Sequence, residues 1–532
     1  MRRAREAILA RGGAAQSNVF TRITLALWGQ VPWRAVPVMP VEILLLPRWF
    51  PFHLSKVSYW SRTVIAPLVI LMALKPRARN PRGVDIRELF TVPPEVERRY
   101  LRNSTDSPWG AIFLGIDRAL RLVEPRVPTR LRRRAIDSAV AFVKERLNGL
   151  DGLGGIFPAM VNAVLAMEAL GYPKSHAELQ TAKEAVHRLV VRRNGVAYCQ
   201  PCMSPVWDTS LAMHALLEAG ERPEDDSIAG AARWLVERQI VDALGDWAAE
   251  APGLEPGGWA FQYRNDAYPD LDDTAVVVMA LDRADRERYR QSINRATDWI
   301  LGLQSRNGGW AAFDANNTQY LLNNIPFADH GALLDPPTAD VTARCVGMLA
   351  QLGHGRSHPA LSRAIEFLYR EQEPDGSWFG RWGTNYVYGT WSVLCALNAA
   401  GEPMDSPAAR RAVTWLTSRQ RADGGWGEDG ATYWPGRKDE CRASTPSQTA
   451  WALLGLMAAG EVESEAVRRG VEYLLAAPRE GGRWVERHYN AVGFPRVFYL
   501  LYHGYGAYFP LWALSRYRNL MRGNERRVGY GM

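Results

Sequence analysis

A repeated helix-and-turn unit constrains this chain more than any other feature. Arg295-Ala296-Thr297-Asp298-Trp299-Ile300 leads to Gln304 and then Gly308-Gly309-Trp310. Arg363-Ala364-Ile365-Glu366-Phe367-Leu368 leads to Gln372 and Asp375-Gly376-Ser377-Trp378, and Arg411-Ala412-Val413-Thr414-Trp415-Leu416 leads to Gln420 and Asp423-Gly424-Gly425-Trp426. In these three copies Gln and Trp stand six residues apart. Two looser copies flank them. One runs from Ala231-Ala232-Arg233-Trp234-Leu235 through Gln239 to Gly245-Asp246-Trp247, the other from Arg469-Gly470-Val471-Glu472-Tyr473-Leu474 to Gly481-Gly482-Arg483-Trp484, with Pro478 in the place of Gln. Each unit reads as a helix ending in Gln, a Gly-rich turn and a Trp. Repeats of this size stack helices into a solenoid or a closed ring, each unit covering its neighbour's apolar face. The Gln amide can bond to backbone at the next helix, and the Trp can stack across the Gln. Most of the repeat Trp residues, among 20 in the chain, are therefore expected to be scaffold.

Between the repeats lie further apolar segments, Thr209 to Ala219, Thr274 to Leu281, Thr342 to Leu352, Thr390 to Ala400 and Thr449 to Ala459. Alternating inner and outer helices make an α/α barrel. The predicted fold class is all-α. A length of 532 residues favours two domains, placed at 1–204 and 205–532.

At the start of one predicted inner helix stands Tyr268-Pro269-Asp270-Leu271-Asp272-Asp273-Thr274-Ala275, directly before the apolar run Val276-Val277-Val278-Met279-Ala280-Leu281. Asp suits a helix N-cap and first turn. Three crowded acids beside an apolar run resist ionising together, because desolvation and like charge both raise a carboxyl pKa. A protonated acid facing an apolar pocket can give its proton to something greasy. Plain capping is the bland reading of one such Asp. A Ca²⁺ loop fits poorly: its sixth and twelfth positions call for Gly and Glu, and here they hold Ala275 and Leu281.

Formal charge is +8, with 64 Lys and Arg against 56 Asp and Glu. That excess fits an anionic surface without choosing between membrane and nucleic acid. Cys199, Cys202, Cys345, Cys395 and Cys441 are odd in number in a long chain, which argues against a disulfide framework. Cys199 and Cys202 form a lone CxxC with no second pair or nearby His, so zinc is not expected. No secretory signal is visible after Arg2, Arg3 and Arg5. The greasiest run, Val64 to Leu74, contains Pro67 and falls short of the ~20 residues a bilayer needs. Ser58 to Leu74 reads as a buried helix, and residues 76–107 as an irregular surface crossing. Trp109 to Leu122 has helical apolar spacing and is followed by Arg126, Arg130, Arg132, Arg133 and Arg134. That is the pattern of a monotopic membrane contact, although a solvated charged face beside an ordinary amphipathic helix gives the same pattern.

The Gln…Gly-x-Trp units resemble the QW motifs of triterpene cyclases, and Asp270-Leu271-Asp272-Asp273-Thr274-Ala275 resembles the DxDDTA acid motif of squalene–hopene cyclases. Gly258-Trp259-Ala260-Phe261-Gln262, Asp335-Pro336-Pro337, Gly380-Arg381-Trp382-Gly383-Thr384-Asn385-Tyr386, Ser444-Thr445-Pro446-Ser447-Gln448-Thr449-Ala450-Trp451 and Gly493-Phe494-Pro495 are similar to that family too. The resemblance runs over nearly the whole chain. It implies two α/α barrel (toroid) domains and cofactor-free, metal-free, acid-initiated polycyclisation of squalene to a pentacyclic hopanoid, hopene or hopanol. It also implies a monotopic position on the cytoplasmic side of the cell membrane, a homodimer and no nucleic-acid partner. Oxidosqualene cyclases carry a shorter acidic motif, so DxDD implies a plain terminal alkene as substrate.

By matching motifs, Asp272 is the implied proton donor, shaped by Asp270 and Asp273. Arg344, after Asp340-Val341-Thr342-Ala343, is the implied partner of the acid where the family's best-studied pattern has His; a guanidinium stabilises the carboxylate left behind but does not titrate like His. Tyr388 matches a tyrosine that helps return the proton through water. The implied substrate lining is Trp60, Ile156, Trp207, Phe261, Phe313, Trp382, Phe494, Phe498, Tyr502 and Tyr505, with Phe313 standing where the family often has Tyr. Core packing is the alternative for each of them. The family carries a further N-terminal segment, so the first domain is expected to be incomplete at its N-terminus. Two other functions fit parts of the pattern: a class II diterpene cyclase acting on a prenyl diphosphate, and a truncated, non-catalytic helical scaffold.

Overall fold

The computed structural model describes residues 1–105, 107–438, 443–523 and 528–532. Its secondary structure is overwhelmingly helical, with three short two-stranded hairpins among the described residues. The chain forms two compact units, Met1–Cys202 with Thr318–Leu334, and Met203–Asn317 with Asp335–Met532. The segment Thr318–Leu334 thus belongs to the first unit although the second surrounds it in sequence. Cys199, Cys202, Cys345 and Cys395 form no disulfide among the described residues; Cys441 lies outside the described residues.

The first unit contains helices α1 (Arg2–Ala10), α2 (Val19–Leu27), α3 (Tyr59–Leu74), α4 (Pro108–Val123), α5 (Thr129–Glu145), α6 (Phe157–Ala169) and α7 (Ala177–Arg188). Helix α3 is the buried helix expected from Ser58 onward. The Ser58 hydroxyl caps it by accepting from Ser61 N at 3.3 Å, and it is buried from Tyr59 to Met72. A helix apolar on every side belongs inside, and α3 packs against α5 and α6. Residues 76–105 are irregular, apart from one short 3₁₀ turn at Arg87–Leu89. An apolar cavity of about 380 Å³ lies in this unit, lined among others by Phe50, Phe52, Phe113, Ile116, Leu120 and Phe327. No helix among the described residues is long and apolar enough to cross a membrane.

The second unit contains α8 (Pro205–Ala219), α9 (Asp226–Val236), α10 (Leu271–Asp285), α11 (Arg290–Gly302), α12 (Ala339–Gln351), α13 (Pro359–Arg370), α14 (Tyr386–Ala399), α15 (Pro407–Ser418), α16 (Pro446–Ala458), α17 (Glu465–Ala476) and α18 (Tyr505–Arg522). Helices α8, α10, α12, α14, α16 and α18 each pack on the next, and α18 packs back on α8, so they close a ring. Helices α9, α11, α13, α15 and α17 pack against them. Sequence explains the two classes. Helix α10 is buried without a break from Leu271 to Leu281, and α16 from Pro446 to Ala458. Helices α11, α13, α15 and α17 bury only a stripe, as amphipathic helices do.

The repeat is a clamp between successive helices. Gln304 Nε2 donates to Gly308 O and, on α13, to Ala360 O, both at 2.8 Å. Gln372 does the same to Gly376 O (2.9 Å) and Ala408 O (2.8 Å), and Gln420 to Gly424 O and Ala466 O (both 2.8 Å). Each Trp reaches back with its indole N–H, Trp310 to Ile300 O (2.8 Å), Trp378 to Leu368 O (2.7 Å) and Trp426 to Leu416 O (2.8 Å). Each Trp backbone N–H meets a threonine hydroxyl in the first turn of the next inner helix: Thr342 (2.9 Å), Thr390 (3.0 Å) and Thr449 (2.9 Å). Gly376 shows why the turn needs glycine: its φ is +95°, and a Cβ there would stand 2.7 Å from Arg411 O. In the last copy Trp484 still bonds Leu474 O at 2.7 Å.

One repeat is corrected. Gln239 bonds Gly257 O (2.7 Å) and Ser292 O (2.9 Å), and the Trp that closes its clamp is Trp259, bonded to Leu235 O at 2.6 Å and to the Thr274 hydroxyl at 2.9 Å. Trp247, which sequence spacing put in that place, lies in an excursion before it, and its indole N–H has no hydrogen-bond partner among the described residues.

Candidate active site

The acid stretch heads inner helix α10. Asp270 is its N-cap, accepting from Asp272 N at 2.7 Å and Asp273 N at 3.1 Å. A carboxyl oxygen accepting from the free N–H groups at the head of a helix is the local reason the chain turns helical here. The Thr274 hydroxyl fixes the same turn from behind, donating to Asp270 O at 2.5 Å while accepting from Trp259 N. The clamp that builds the ring therefore also sets the acids.

All three carboxyls are buried, Asp270 7%, Asp272 6% and Asp273 2% exposed. Burial, and next the charge of Asp272, holds Asp270 well above the ordinary carboxyl range. Burial, and next the charges of Asp270 and Asp272, does the same to Asp273. For Asp272 burial is again the largest influence. Asp340 adds to it, Arg344 works against it, and the carboxyl is pushed up to about 7.

What sets Asp272 apart is its partner. Arg344, midway along α12 and 1% exposed, places Nε 3.5 Å from Asp272 Oδ1. At that separation neither atom has a hydrogen-bond partner among the described residues. Burial opposes the guanidinium's charge, but Tyr388 and Asp272 outweigh it and its pKa rises. The guanidinium also lies over two rings of α14, 4.4 Å from Trp391 and 5.4 Å from Tyr388. Such faces hold a buried cation without a counter-charge. Tyr388 is 1% exposed, and burial pushes its phenol up against the pull of Arg344. The structure thus joins Asp272, Arg344 and Tyr388 in one chain of contacts, with Asp270 and Asp273 one residue either side of Leu271 and Asp272.

Eight of the expected lining residues lie in the second unit. Trp207 on α8 donates its indole N–H to Tyr505 OH at 2.9 Å. Tyr505 stacks on Tyr502 at 4.7 Å, and Tyr502 meets Phe261 edge-on at 6.2 Å. Phe313 and Trp382 meet edge-on at 6.3 Å. Phe494 and Phe498 are cross-strand partners in the hairpin Ala491–Phe494 and Phe498–Leu500. That hairpin is tied to the Trp382 loop through Val492 N to Trp382 O (3.2 Å) and Arg381 Nη2 to Gly493 O (3.0 Å). Phe261, Trp382, Phe494, Phe498 and Tyr502 remain only half-buried, whereas scaffold residues Trp310, Trp378 and Trp426 are fully buried. Trp60 and Ile156 lie in the first unit: Trp60 Nε1 donates to Ala332 O at 2.7 Å, and Ile156 forms a bridge with Cys202.

Sequence reasoning missed two acids that shape this region. Asp340, one turn before Arg344, accepts from Arg381 N (2.8 Å) and Trp382 N (3.0 Å). Asp335 accepts from Ala312 N (3.2 Å), Phe313 N (2.8 Å) and Asp314 N (3.2 Å), and burial pushes it up to about 7. The two carboxylates hold the backbones that carry Phe313 and Trp382. It also missed Trp391 as the nearer ring over Arg344. The available signals were the i, i+4 spacing of Asp340 and Arg344 and the place of the two acids in Asp335-Pro336-Pro337 and Asp340-Val341-Thr342-Ala343.

Comparison with known proteins identifies the family. Residues 1–195 match the family described as squalene-hopene cyclase N-terminal domain, and residues 203–519 the squalene-hopene cyclase C-terminal domain. The chain is 55% identical to the squalene–hopene cyclase of Bradyrhizobium diazoefficiens over 100% of its own length and 82% of that protein. It is 44% identical to the squalene–hopene cyclase of Alicyclobacillus acidocaldarius over 99% of its length and 83% of that protein. Among solved structures, ent-copalyl diphosphate synthase from Streptomyces platensis shares the fold with a TM-score of 0.50 at 18% identity, over 96% of this chain and 98% of that one. The chain belongs to the squalene–hopene cyclase family.

Proposed function

We infer that this protein is an isomerase that converts squalene to pentacyclic hopanoid by protonating a terminal alkene. The observation that carries the reading is the Asp272–Arg344 pair: a buried carboxyl, neutral up to about pH 7, with a buried guanidinium 3.5 Å away. Asp272 gives its proton to the terminal alkene carbon and becomes a carboxylate, and the neighbouring carbon becomes a tertiary cation. Arg344 stabilises that carboxylate at the moment it forms, an electrostatic contribution that operates best in a site without water. Neither Asp270, whose Oδ1 accepts from the first N–H groups of α10, nor Asp273 has a cation within ion-pair distance among the described residues to stabilise the carboxylate that proton transfer would leave.

Each ring closure turns a π bond into a σ bond and moves the charge onward. The half-buried faces of Phe261, Trp382, Phe494, Phe498 and Tyr502, with Trp207, Phe313 and Tyr505, are the lining that steadies it. A dry aromatic face attracts a cation by ~2 kcal/mol or more without offering a nucleophile. Loss of a proton gives the alkene; capture of water gives the alcohol. Tyr388 takes part in returning a proton to Asp272. No metal or cofactor takes part.

The exposed apolar face of α4, the exposed Arg residues that follow it and the cavity lined by Phe50, Phe52 and Phe113 support peripheral attachment to the inner face of the cell membrane, where an apolar substrate dissolves. A homodimer is the assembly we propose on the family's pattern. The test is conversion of squalene by the purified full chain in detergent, read by gas chromatography–mass spectrometry, with geranylgeranyl diphosphate as the competing substrate. A pentacyclic product from squalene that disappears in Asp272→Asn is expected. Turnover of the diphosphate alone, or no turnover by folded protein, would overturn the reading.

A further inference from the structure

The acids sit at the N-terminal end of α10. At the opposite end of the ring, residues Val528–Met532 run across the C-terminal ends of the inner helices. Asn398 of α14 donates from Nδ2 to Val528 O at 2.9 Å. Gly531 N donates to Gln351 Oε1 of α12 at 3.2 Å. Arg516 of α18 donates from Nη1 to Met532 O at 2.5 Å. The Arg283 guanidinium of α10 lies 4.0 Å from the Tyr530 ring centroid. Met532 is 1% exposed and Val528 6%.

The seat is built closely and charged. Gly531 lies against Gly347 of α12 so tightly that a Cβ on it would stand 2.3 Å from Gly347 O and 2.8 Å from Met279 Sδ of α10. Gly347 is only three residues beyond Arg344, one helical turn, and Met279 is seven residues beyond Asp272, roughly 10 Å at 1.5 Å per residue. Beneath them two buried guanidiniums share one carboxylate: Glu218 Oε2 lies 3.1 Å from Arg283 and 3.2 Å from Arg516. His214, stacked at 5.1 Å on Trp512, adds no charge there, because burial pulls its pKa down to about 3. Val528–Met532 supplies an oxygen to one guanidinium and a ring face to the other.

We propose that Val528–Met532 is the floor of the catalytic ring, which closes the end of the inner helices opposite the acid and keeps water from reaching the Asp272–Arg344 pair and the migrating cation from below. This rests on the squalene-cyclising reading of the site, since a cation intermediate is what makes a dry floor necessary. The segment acts through the ring and touches no substrate, so it is a positioning element.

The test compares the full chain with Gly531→Ala, which forces the segment off Gly347 without removing it, and with a chain lacking Tyr530–Met532. Two readouts are taken well below the melting temperature of each. The first is amide hydrogen exchange of peptides covering the second halves of α10 and α12; uptake is expected to rise several-fold there in both variants while α3 is unchanged. The second is the ratio of water-captured alcohol to alkene product, expected to rise several-fold. Unchanged exchange in Gly531→Ala overturns the floor, and raised exchange with an unchanged product ratio overturns its role against water. If the unaltered chain makes no polycyclic product, the function proposed above fails by itself, and hydrogen exchange still decides whether the segment seals the ring.

Discussion

At Asp272 the physics of one carboxyl sets both rate and stability. Replacing it by Asn keeps the shape and removes the proton, so squalene conversion is expected to fall by at least about 10²–10⁴-fold, the range lost with a general acid. The same substitution has a pH signature. In the native state the carboxyl holds its proton up to about pH 7, against an ordinary 3.8, so between those values the unfolded chain binds fewer protons than the folded one. Stability therefore falls as pH rises through that window and is flat above it. Asn has no such dependence. The stability advantage of Asp272→Asn over the parent, read as the free energy of unfolding, is expected to grow from pH 4 to pH 7 by roughly 4 kcal/mol at about 1.36 kcal/mol per pK unit. An advantage that shrinks as pH rises would contradict the raised carboxyl. Arg344 gives the companion prediction. The parent needs Asp272 protonated, so activity is expected to be lost as pH rises through about 7. Arg344→Gln removes the charge that favours the carboxylate, so the rate falls and the alkaline limb moves up in pH. Arg344→His adds a second limb as the imidazole loses its proton. Rate–pH profiles of the three proteins decide it; an unmoved limb in Arg344→Gln would separate the guanidinium from the acid.

The helix-to-helix clamp places that acid, and much of it could be read in advance. The six-residue Gln-to-Trp spacing, the Gly-rich turn and the inner and outer alternation are local in sequence, and the structure follows them. The threonine that receives each Trp N–H was not legible, because the loop before it varies: Thr390 follows Trp378 by 12 residues, Thr449 follows Trp426 by 23 and Thr342 follows Trp310 by 32. The same variability misled the reading of Trp247. Gly-x-Trp occurs at both 245–247 and 257–259, and only the bond to Thr274 distinguishes them. These hydroxyls give a prediction at this scale. Thr390→Val leaves the buried N–H of Trp378 unpaired and is expected to cost about 1–3 kcal/mol. Gln372→Ala removes the two bonds its amide donates and the one its Oε1 accepts from Arg411 at the junction of α13 and α15, and is expected to cost about 1–3 kcal/mol. Both are measured by denaturant unfolding followed at tryptophan fluorescence. If Thr390→Val is as stable as the parent, the clamp does not depend on its hydroxyl. Because Thr274 holds the first turn of α10, Thr274→Val is the one of the series expected also to lower the turnover of squalene.

For the whole molecule, the sequence showed less, because its site is assembled from distant segments. Trp207 bonds Tyr505 across 298 residues, a pairing no periodicity announces. The surface is plainer. Helix α4 leaves Trp109 49%, Ile112 49% and Leu122 67% exposed, with Trp49 78% exposed in the loop before α3. Soluble chains rarely leave so much contiguous apolar surface in water. Arg126, Arg130, Arg133 and Arg134 are exposed, the charge an anionic headgroup layer attracts. At 16 residues, α4 is shorter than the ~20 a crossing requires, so the membrane contact proposed above would have it lie in the interface. Each side chain fully withdrawn from water is worth about 1.5–3 kcal/mol. Trp109→Ser, Ile112→Ser and Leu122→Ser together are therefore expected to weaken binding to anionic vesicles by at least about tenfold, a factor that needs only ~1.4 kcal/mol. Salt is expected to weaken the parent only in part, since it screens the Arg residues and not the apolar face. Cosedimentation with vesicles at two salt concentrations reads both effects. Binding that salt abolishes and the triple substitution leaves alone would reduce the contact to charge and take α4 out of the membrane.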